Sequence, residues 1–188
     1  ILDEGEDANN LTGTGGLTMT GTSELIVRHD AAATFPMLSG AYTLSAGTVT
    51  INYGTAGTAT VRGATYYNLS LIGSRNHNCS AVTSITNNLT VSGTADISLN
   101  GVLTVGNAIT YSSTDADGWI LTNNVTAASY TMTAGIVTVN SPYVLTINGA
   151  GGWTKNGGTL AGTGTVQFTG TVAQPIAGTS TTTFENLT

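Results

Sequence analysis

The fold is decided by residues 87–107, which read NNLTVSGTADISLNGVLTVGN. This stretch holds three short runs in which apolar and polar residues alternate: Leu89-Thr90-Val91, Ile97-Ser98-Leu99 and Leu103-Thr104-Val105. Alternation indicates half-buried strands, because successive side chains of a strand point to opposite faces. Gly93 and the pair Asn100-Gly101 separate the runs and are typical of turns. Three strands within about 20 residues predict one coil of a β-solenoid.

A short motif, Asn followed by Leu or Val and then by Ser or Thr, recurs along the chain. Its five Asn residues are Asn10, Asn68, Asn88, Asn124 and Asn186. The intervals between them, 58, 20, 36 and 62 residues, lie near multiples of about 20. We therefore expect the motif to open successive coils, with its Asn side chains stacked on one another and bonded to the turn backbone. This period predicts about nine or ten coils.

A longer match supports internal repetition. Residues 42–52 read YTLSAGTVTIN and residues 130–140 read YTMTAGIVTVN, and the two align without a gap. The apolar positions are kept in both segments, so we interpret them as two copies of the repeating unit.

Composition favours an all-β protein. The chain has 188 residues, of which 7% are charged and 40% hydrophobic, and glycine and β-branched residues outnumber good helix formers. The net charge of −6 and only four Lys and Arg residues exclude the basic stripe that a nucleic-acid-binding protein needs. No apolar run approaches the length of a membrane span, so we expect no membrane insertion. Low charge with abundant Thr and Asn is typical of secreted or cell-surface proteins.

Two parts of the chain are distinguished. Residues 1–8 are expected to be an acidic leading segment or linker, since four of the first seven residues are Asp or Glu. Residues 9–188 are expected to form a single domain, an all-β parallel β-helix. The apolar members of its strands are predicted to stack in register and form the core.

Residues 164–188, which read GTVQFTGTVAQPIAGTSTTTFENLT, resemble the repeats of long secreted bacterial surface proteins. In those repeats a Gly-Thr-Val-x-Phe strand leads through an Ala-Gln-x-Ile turn to a Thr-Phe-x-Asn-Leu-Thr strand. Pro175 stands where a small polar residue is expected. The resemblance implies a parallel β-helix of the kind used in adhesins and filamentous-haemagglutinin-like exoproteins. It carries no catalytic residue over to this chain.

Two features are candidates for binding chemistry. Asp115-Ala116-Asp117-Gly118 places two carboxylates before a glycine, like half of a calcium loop, but the third ligand and the distal Glu are missing. We interpret it as a turn, with a weak cation site as the alternative. Trp119 and Trp153 lie in glycine-rich, loop-like segments, where exposed rings would offer stacking platforms to a glycan. We interpret both rings as covers of core edges or coil ends, with glycan stacking as the alternative.

The main functional expectation concerns the coil edges, because an open solenoid end exposes unpaired backbone groups. The motif around Phe184, Asn186 and Leu187 repeats one found at Leu11. We expect these four residues to form an assembly edge, on which a second copy or the continuation of a longer chain stacks. The predicted function is an extracellular structural protein of a filament, sheath or adhesin. It is not expected to be an enzyme and needs no cofactor; the alternative is a carbohydrate-binding or carbohydrate-active β-helix module whose partners are surface glycans.

Overall fold

A computed structural model describes residues 1–3, 12–29, 37–54, 58–74 and 76–188. Within these ranges every regular element is a β-strand and none is a helix, which confirms the all-β prediction. Thr and branched apolar residues favour extended backbone, while Gly and Asn supply the corners. The strands are β1 (Leu2–Asp3), β2 (Thr12–Gly13), β3 (Leu17–Thr18), β4 (Glu24–His29), β5 (Met37–Leu38), β6 (Tyr42–Tyr53), β7 (Thr58–Thr60), β8 (Tyr66–Gly73), β9 (Asn76–Asn78), β10 (Ser84–Ile85), β11 (Leu89–Val91), β12 (Asp96–Ser98), β13 (Leu103–Tyr111), β14 (Trp119–Leu121), β15 (Val125–Met132), β16 (Ile136–Val139), β17 (Val144–Lys155), β18 (Thr159–Ala161), β19 (Thr165–Phe168), β20 (Ile176–Ala177) and β21 (Asn186–Leu187).

Each turn of the solenoid contributes three strand segments, and neighbouring turns pair in parallel. The three runs of residues 87–107 correspond to β11, to β12 and to the first part of β13, as predicted, except that β12 covers Asp96–Ser98 and ends before Leu99. We call the three sides face A, face B and face C. In this part of the chain they are formed by residues 103–105, Leu89–Val91 and Asp96–Ser98, respectively. The chain passes through face A, then face B, then face C.

Faces A and B belong to one 13-stranded sheet within the described residues, whereas face C is built from smaller sheets. Several strands run from face A onto face B. In β13, residues 103–105 lie on face A and residues 108–111 on face B. A register shift between Val105 and Ala108 accompanies this change of face, as expected where a bulge bends a strand.

Apolar side chains stack in columns along the solenoid and form the core, as predicted. The buried members of one column on face B are Leu25, Val49, Leu69, Leu89, Ile109, Tyr130 and Trp153. Each is at most 2% exposed, and burial of one such side chain contributes about 1.5–3 kcal/mol. Parallel ladders pair the backbone groups between turns. The column continues to Ile176, which pairs with Trp153.

The number of turns is smaller than predicted. About seven turns stack between Leu25 and Ile176, rather than nine or ten. Column members are 20 residues apart from Val49 to Ile109. They are 21 to 24 residues apart in the other turns. The predicted number of turns was too large because it applied the 20-residue spacing of the central turns to the whole chain.

The Asn motif does not mark one position in the turn, which corrects the prediction that it opens successive coils. Leu69 and Leu89, each preceded by the Asn of the motif, pair with each other on face B. Val125 and Leu187, which also follow the Asn of the motif, lie on face A. The corner that leads into face A and the corner that leads into face B both need a residue that bonds to the turn backbone. Asn can fill this role at either corner.

Residues 42–52 and 130–140 are likewise not equivalent in the turn. The first segment runs from face A to face B within β6, whereas the second runs from face B in β15 to face C in β16. Both change direction at a glycine with positive φ, Gly47 (71°) and Gly135 (72°). Their shared sequence therefore specifies a strand, a glycine corner and a second strand, and this unit fits more than one corner.

The first residues of the chain take part in the solenoid. β1 pairs with β4, with Leu2 opposite Leu25. Residues 4–8 of the expected acidic leading segment lie outside the described residues, so the boundary at residue 8 stays a prediction.

Candidate functional site

The C-terminal end of the solenoid is formed by β20 on face B and β21 on face A. β20 pairs with Trp153 and Thr154 of β17, and β21 pairs with Thr165 and Val166 of β19. No strand of the described residues pairs with the outer edges of β20 and β21. These edges therefore direct backbone N–H and C=O groups away from the solenoid.

Two apolar columns reach the surface at this end. Ile176 and Leu187 are 52% and 49% exposed, whereas Trp153 and Val166, one turn below, are 0% and 3% exposed. A cavity of about 140 Å³ lies beside β21 and is lined by Val139, Leu160, Ala161, Gly162, Gly164, Val166, Thr183, Glu185 and Asn186. Half-exposed apolar side chains next to unpaired strand edges favour association with another strand layer.

Phe184, predicted at the assembly edge, packs against the end of the core instead. Its ring meets the rings of Trp153 and Phe168 edge-on, with centroids 5.6 and 6.2 Å apart. Trp153 also donates from Nε1 to Thr182 Oγ1 at 3.0 Å. The segment before β21 is therefore fixed over the interior of the last turn.

The single lysine of the chain fixes the same segment. Lys155 is 7% exposed, and its Nζ donates a 2.9 Å hydrogen bond to the carbonyl oxygen of Thr181. A buried ammonium group is costly unless its protons are bonded, so this contact helps to hold the segment before β21 in place.

Asn186 and Leu187, the other predicted edge residues at this end, do form the edge strand β21. Asn186 Nδ2 donates to the carbonyl oxygens of Thr163 (3.0 Å) and Gly164 (3.3 Å) on the turn below. Leu11, the fourth predicted edge residue, lies outside the described residues.

The opposite end of the solenoid also has unpaired strand edges and exposed apolar side chains. β1 and β3 pair on one side with β4 and β6, and no described strand pairs with their outer edges. Ile1 and Leu2 are 90% and 42% exposed. A cavity of about 260 Å³ at this end is lined by Ile1, Leu2, Leu17, Thr18, Met19, Ser23, Glu24 and Leu25.

Trp119 and Trp153 are both 0% exposed, so the alternative that their rings offer stacking platforms to a glycan is wrong. Trp119 packs against Tyr111 with centroids 6.1 Å apart, and Trp153 stacks on Tyr130 at 4.9 Å with an interplanar angle of 11°. Both lie in strands, β14 and β17. The glycines that precede them are corner residues with positive φ rather than parts of long loops.

Asp115 and Asp117 lie in a turn, in agreement with the interpretation from the sequence. Asp115 Oδ2 accepts hydrogen bonds from the backbone N–H groups of Asp117 (3.1 Å) and Gly118 (3.3 Å). This is the local bonding that makes Asp a turn residue. Among the described residues no group of three or more His, Cys, Asp or Glu side chains is placed to hold a metal ion.

Sequence reasoning missed a polar cleft on face C. β12 and β14 follow one another on this face but belong to separate three-stranded sheets, so the ladder is interrupted between them. A cavity of about 380 Å³ lies there, lined by Asn76, Asp96, Ile97, Ser98, Asp117, Gly118, Ile120 and Thr122. The residues around Asp115, just before β14, do not alternate between apolar and polar types. This break in the alternation was the sequence signal for the interrupted ladder.

Asp96, which lines this cleft, has a carboxyl group with a raised pKa. Partial burial raises its pKa from 3.8 to about 6, and the nearby charges of Asp115 and Asp117 act in the same direction. A 2.6 Å hydrogen bond from the backbone N–H of Ile97 to Asp96 Oδ1 opposes this rise. Amide, hydroxyl and carboxyl groups around a cleft of this kind suit a ligand rich in hydroxyl groups.

Asn side chains form a ladder at the corner between faces A and B, and it includes Asn68 and Asn88 of the predicted stack together with Asn87 and Asn107. Asn87 Nδ2 donates to Asn68 Oδ1 at 2.9 Å. Asn107 Nδ2 donates to the Oδ1 atoms of Asn87 (3.1 Å) and Asn88 (3.0 Å). Asn88 Oδ1 also accepts from the backbone N–H of Ala108 at 3.2 Å. These bonds satisfy polar groups that a corner would otherwise leave without partners.

Cys79, the single cysteine, is 3% exposed. Burial raises the pKa of its thiol to about 12, so the group stays protonated and unreactive at neutral pH.

Comparison of the chain with family models, with curated proteins and with solved structures finds no match. In the part of the chain that the structure describes, no helix has the length and apolarity to cross a bilayer.

Proposed function

We propose that this chain is an extracellular structural protein, a β-solenoid subunit or segment of a cell-surface filament, sheath or adhesin. It stacks end to end through its open coil edges, either on a second copy or on the continuation of a longer chain. The observation that carries the proposal is the exposure of Ile176 and Leu187 at β20 and β21, strands that pair on one side only within the described residues.

The extracellular setting rests on composition and on the resemblance of residues 164–188 to surface-protein repeats. A chain with 7% charged residues and a net charge of −6 draws its stability from stacked apolar columns and backbone ladders. Such a structure needs no metal, cofactor or catalytic group, so the proposal includes none and the chain is not proposed to be an enzyme.

Electron microscopy of the native cell surface with gold-labelled antibodies against the chain tests this function. The expected result is label along filaments, a sheath or surface projections, with the protein in the extracellular and surface fractions. Recovery of the protein entirely in the cytosolic fraction would contradict the proposal.

A second candidate function, carbohydrate binding, is favoured by the cleft on face C. Its volume of about 380 Å³ and its lining by Asn76, Asp96, Ser98 and Asp117 suit a sugar with several hydroxyl groups. A glycan array with the wild-type chain and the Asn76→Ala variant tests this candidate. Retention on a glycan that the variant loses supports it, and no retention on any glycan contradicts it.

A further inference from the structure

We infer that the corner Asn100-Gly101 is a site of spontaneous covalent modification, at which the folded chain loses ammonia and acquires a new carboxyl group. The inference goes beyond the proposed structural role and does not depend on it. It rests on a comparison of three Asn-Gly pairs that the fold places in different surroundings: Asn100-Gly101, Asn148-Gly149 and Asn156-Gly157.

The reaction needs only the side-chain amide, the next backbone nitrogen and water. The glycine nitrogen gives up its proton to solvent and attacks Cγ of the asparagine, which closes a succinimide ring. The side-chain nitrogen takes up a proton and leaves as ammonia. Water then opens the ring at one of its two carbonyl carbons, which yields Asp or isoAsp, and no atom is oxidised or reduced. Glycine favours the attack because it has no Cβ and its backbone turns freely.

Exposure to solvent does not distinguish the three pairs, because Asn100, Asn148 and Asn156 are all exposed. The difference lies in how freely each pair can move. An asparagine must rotate about its ψ and χ1 angles to bring Cγ to the glycine nitrogen. A pair that is held by hydrogen bonds or by packing therefore reacts only after it opens locally.

The corner between β12 and β13 leaves this rotation unhindered. Asn100 and Gly101 lie outside the strands, and neither forms a hydrogen bond within the part of the chain that the structure describes. A Cβ added at Gly101 would have no atom within 4 Å. The nearest contact with the next turn, from Thr122 Oγ1 to the carbonyl oxygen of Leu99, ends one residue before the pair.

Asn148-Gly149, by contrast, is held on both sides. Gln174 Nε2 donates to the carbonyl oxygens of Ile147 and Gly149, each at 2.9 Å. A Cβ added at Gly149 would lie 2.6 Å from Cβ of Ala128, so this backbone packs closely on the neighbouring turn. Rotation at Asn148 requires these contacts to break.

Asn156-Gly157 is held through both its backbone and its side chain. The backbone N–H of Asn156 donates to the carbonyl oxygen of Met132 at 2.8 Å. Its Oδ1 accepts from the backbone N–H of Thr179 at 3.1 Å. A Cβ added at Gly157 would overlap the carbonyl oxygen of Thr133. This pair is therefore fixed to the turns on either side of it.

The modification changes the exterior of one corner and leaves the core in place. Leu99 and Leu103, on either side of the corner, are buried and keep their side chains. The new carboxyl group is ionised at neutral pH and makes the net charge of −6 one unit more negative. The isoAsp product also lengthens the backbone by one methylene group, which the open space around Gly101 accommodates. The modified fraction therefore rises with the age of the folded protein.

Peptide mapping by mass spectrometry after incubation of the folded chain at mildly alkaline pH tests the inference. We expect Asn100 to convert at least about tenfold faster than Asn148 or Asn156, the factor that follows when one or two hydrogen bonds must first break. In the urea-unfolded chain the three pairs should react at similar rates. Equal rates in the folded chain, no conversion at Asn100, or the same preference in the unfolded chain would overturn the inference.

Two variants separate the effect of the fold from that of the local sequence. Gly101→Ala, whose new Cβ has open space, should suppress conversion at Asn100 and remove the acidic band that wild type develops on isoelectric focusing. Gln174→Ala should speed conversion at Asn148 and leave Asn100 unchanged, because it removes the two bonds that hold the first pair. An unchanged rate at Asn148 would contradict the protection by these bonds on which the comparison rests.

Discussion

Replacing Trp153 with Ala should destabilise the chain by about 3–5 kcal/mol, the usual cost of truncating a buried Trp. Trp153 is 0% exposed and stacks on Tyr130 at 4.9 Å, and its Nε1 donates to Thr182 at 3.0 Å. Of the total, about 0.5–1.5 kcal/mol comes from the aromatic pair and a similar amount from the hydrogen bond. The remainder comes from lost burial and from the cavity beneath Phe184, which packs on the same ring.

Trp153→Phe is the matched control, because it keeps an aromatic ring against Tyr130 and removes the bond to Thr182. Its expected cost is about 1–2 kcal/mol. Urea unfolding followed by circular dichroism measures both variants, and the fluorescence of Trp119 reports separately on the middle of the solenoid. An early transition seen by circular dichroism alone would mean that the last turns fray first. A Trp153→Ala variant within about 1 kcal/mol of wild type would refute the reasoning, because a buried core position cannot be truncated so cheaply.

Three further predictions concern corners and the cleft. Gly135→Ala should destabilise the chain by at least about 1–3 kcal/mol in the same urea assay, because φ is 72° and the new Cβ would overlap a backbone carbonyl of the preceding turn. The control Gly101→Ala, which has open space around the new Cβ, should change the stability little. Equal effects of the two variants would contradict this account of the corner. Asn88→Ala should cost about 1–3 kcal/mol, because it removes the acceptor of a backbone N–H at 3.2 Å, whereas the exposed Asn100→Ala should be nearly neutral; an inert Asn88→Ala would mean that the ladder contributes no stability. Since the folded pKa of Asp96 is raised to about 6, the folded chain holds this proton more tightly than the unfolded chain, and stability should fall as pH rises from about 4 to 6. Asp96→Asn should flatten that part of the pH profile and stabilise the chain at pH 8 by about 1 kcal/mol after solvent screening; an unchanged profile would contradict the raised pKa.

The strands and the core were predictable from the sequence because they depend on local alternation. Residues 87–107 fold into the three strand segments that their pattern indicates, and Leu89, Ile97 and Leu103 are all buried. Alternation with a period of two residues indicates which side chains point inward. Parallel stacking of the turns on one another follows from this pattern alone.

The number of turns and the equivalence of repeats were not predictable, because similar corners recur at different places in the turn. The Asn motif precedes Leu89 on face B and Val125 on face A. Gly47 and Gly135 adopt the same positive φ at corners between different pairs of faces. A local signal for a corner does not state which faces the corner joins, so intervals between such signals are not turn lengths.

The candidate site was predicted in part. Asn186 and Leu187 form the predicted edge strand, whereas Phe184 packs inward on Trp153. The cleft at Asp96 was missed, because an interrupted ladder on face C depends on how β12 and β14 approach in space. The residues of β12 and of β14 contain no pattern that predicts how the two strands approach.

The measurement that tests the central claim most directly is electron microscopy of the purified chain over a range of concentrations, joined to X-ray diffraction from aligned material. The account predicts unbranched filaments one solenoid wide, with a reflection near 4.7–4.8 Å along the filament axis from the stacked strands. Particles that stay monomeric at the highest concentration would contradict stacking on a second copy. Filaments whose strand spacing lies across the axis would contradict stacking through the coil edges.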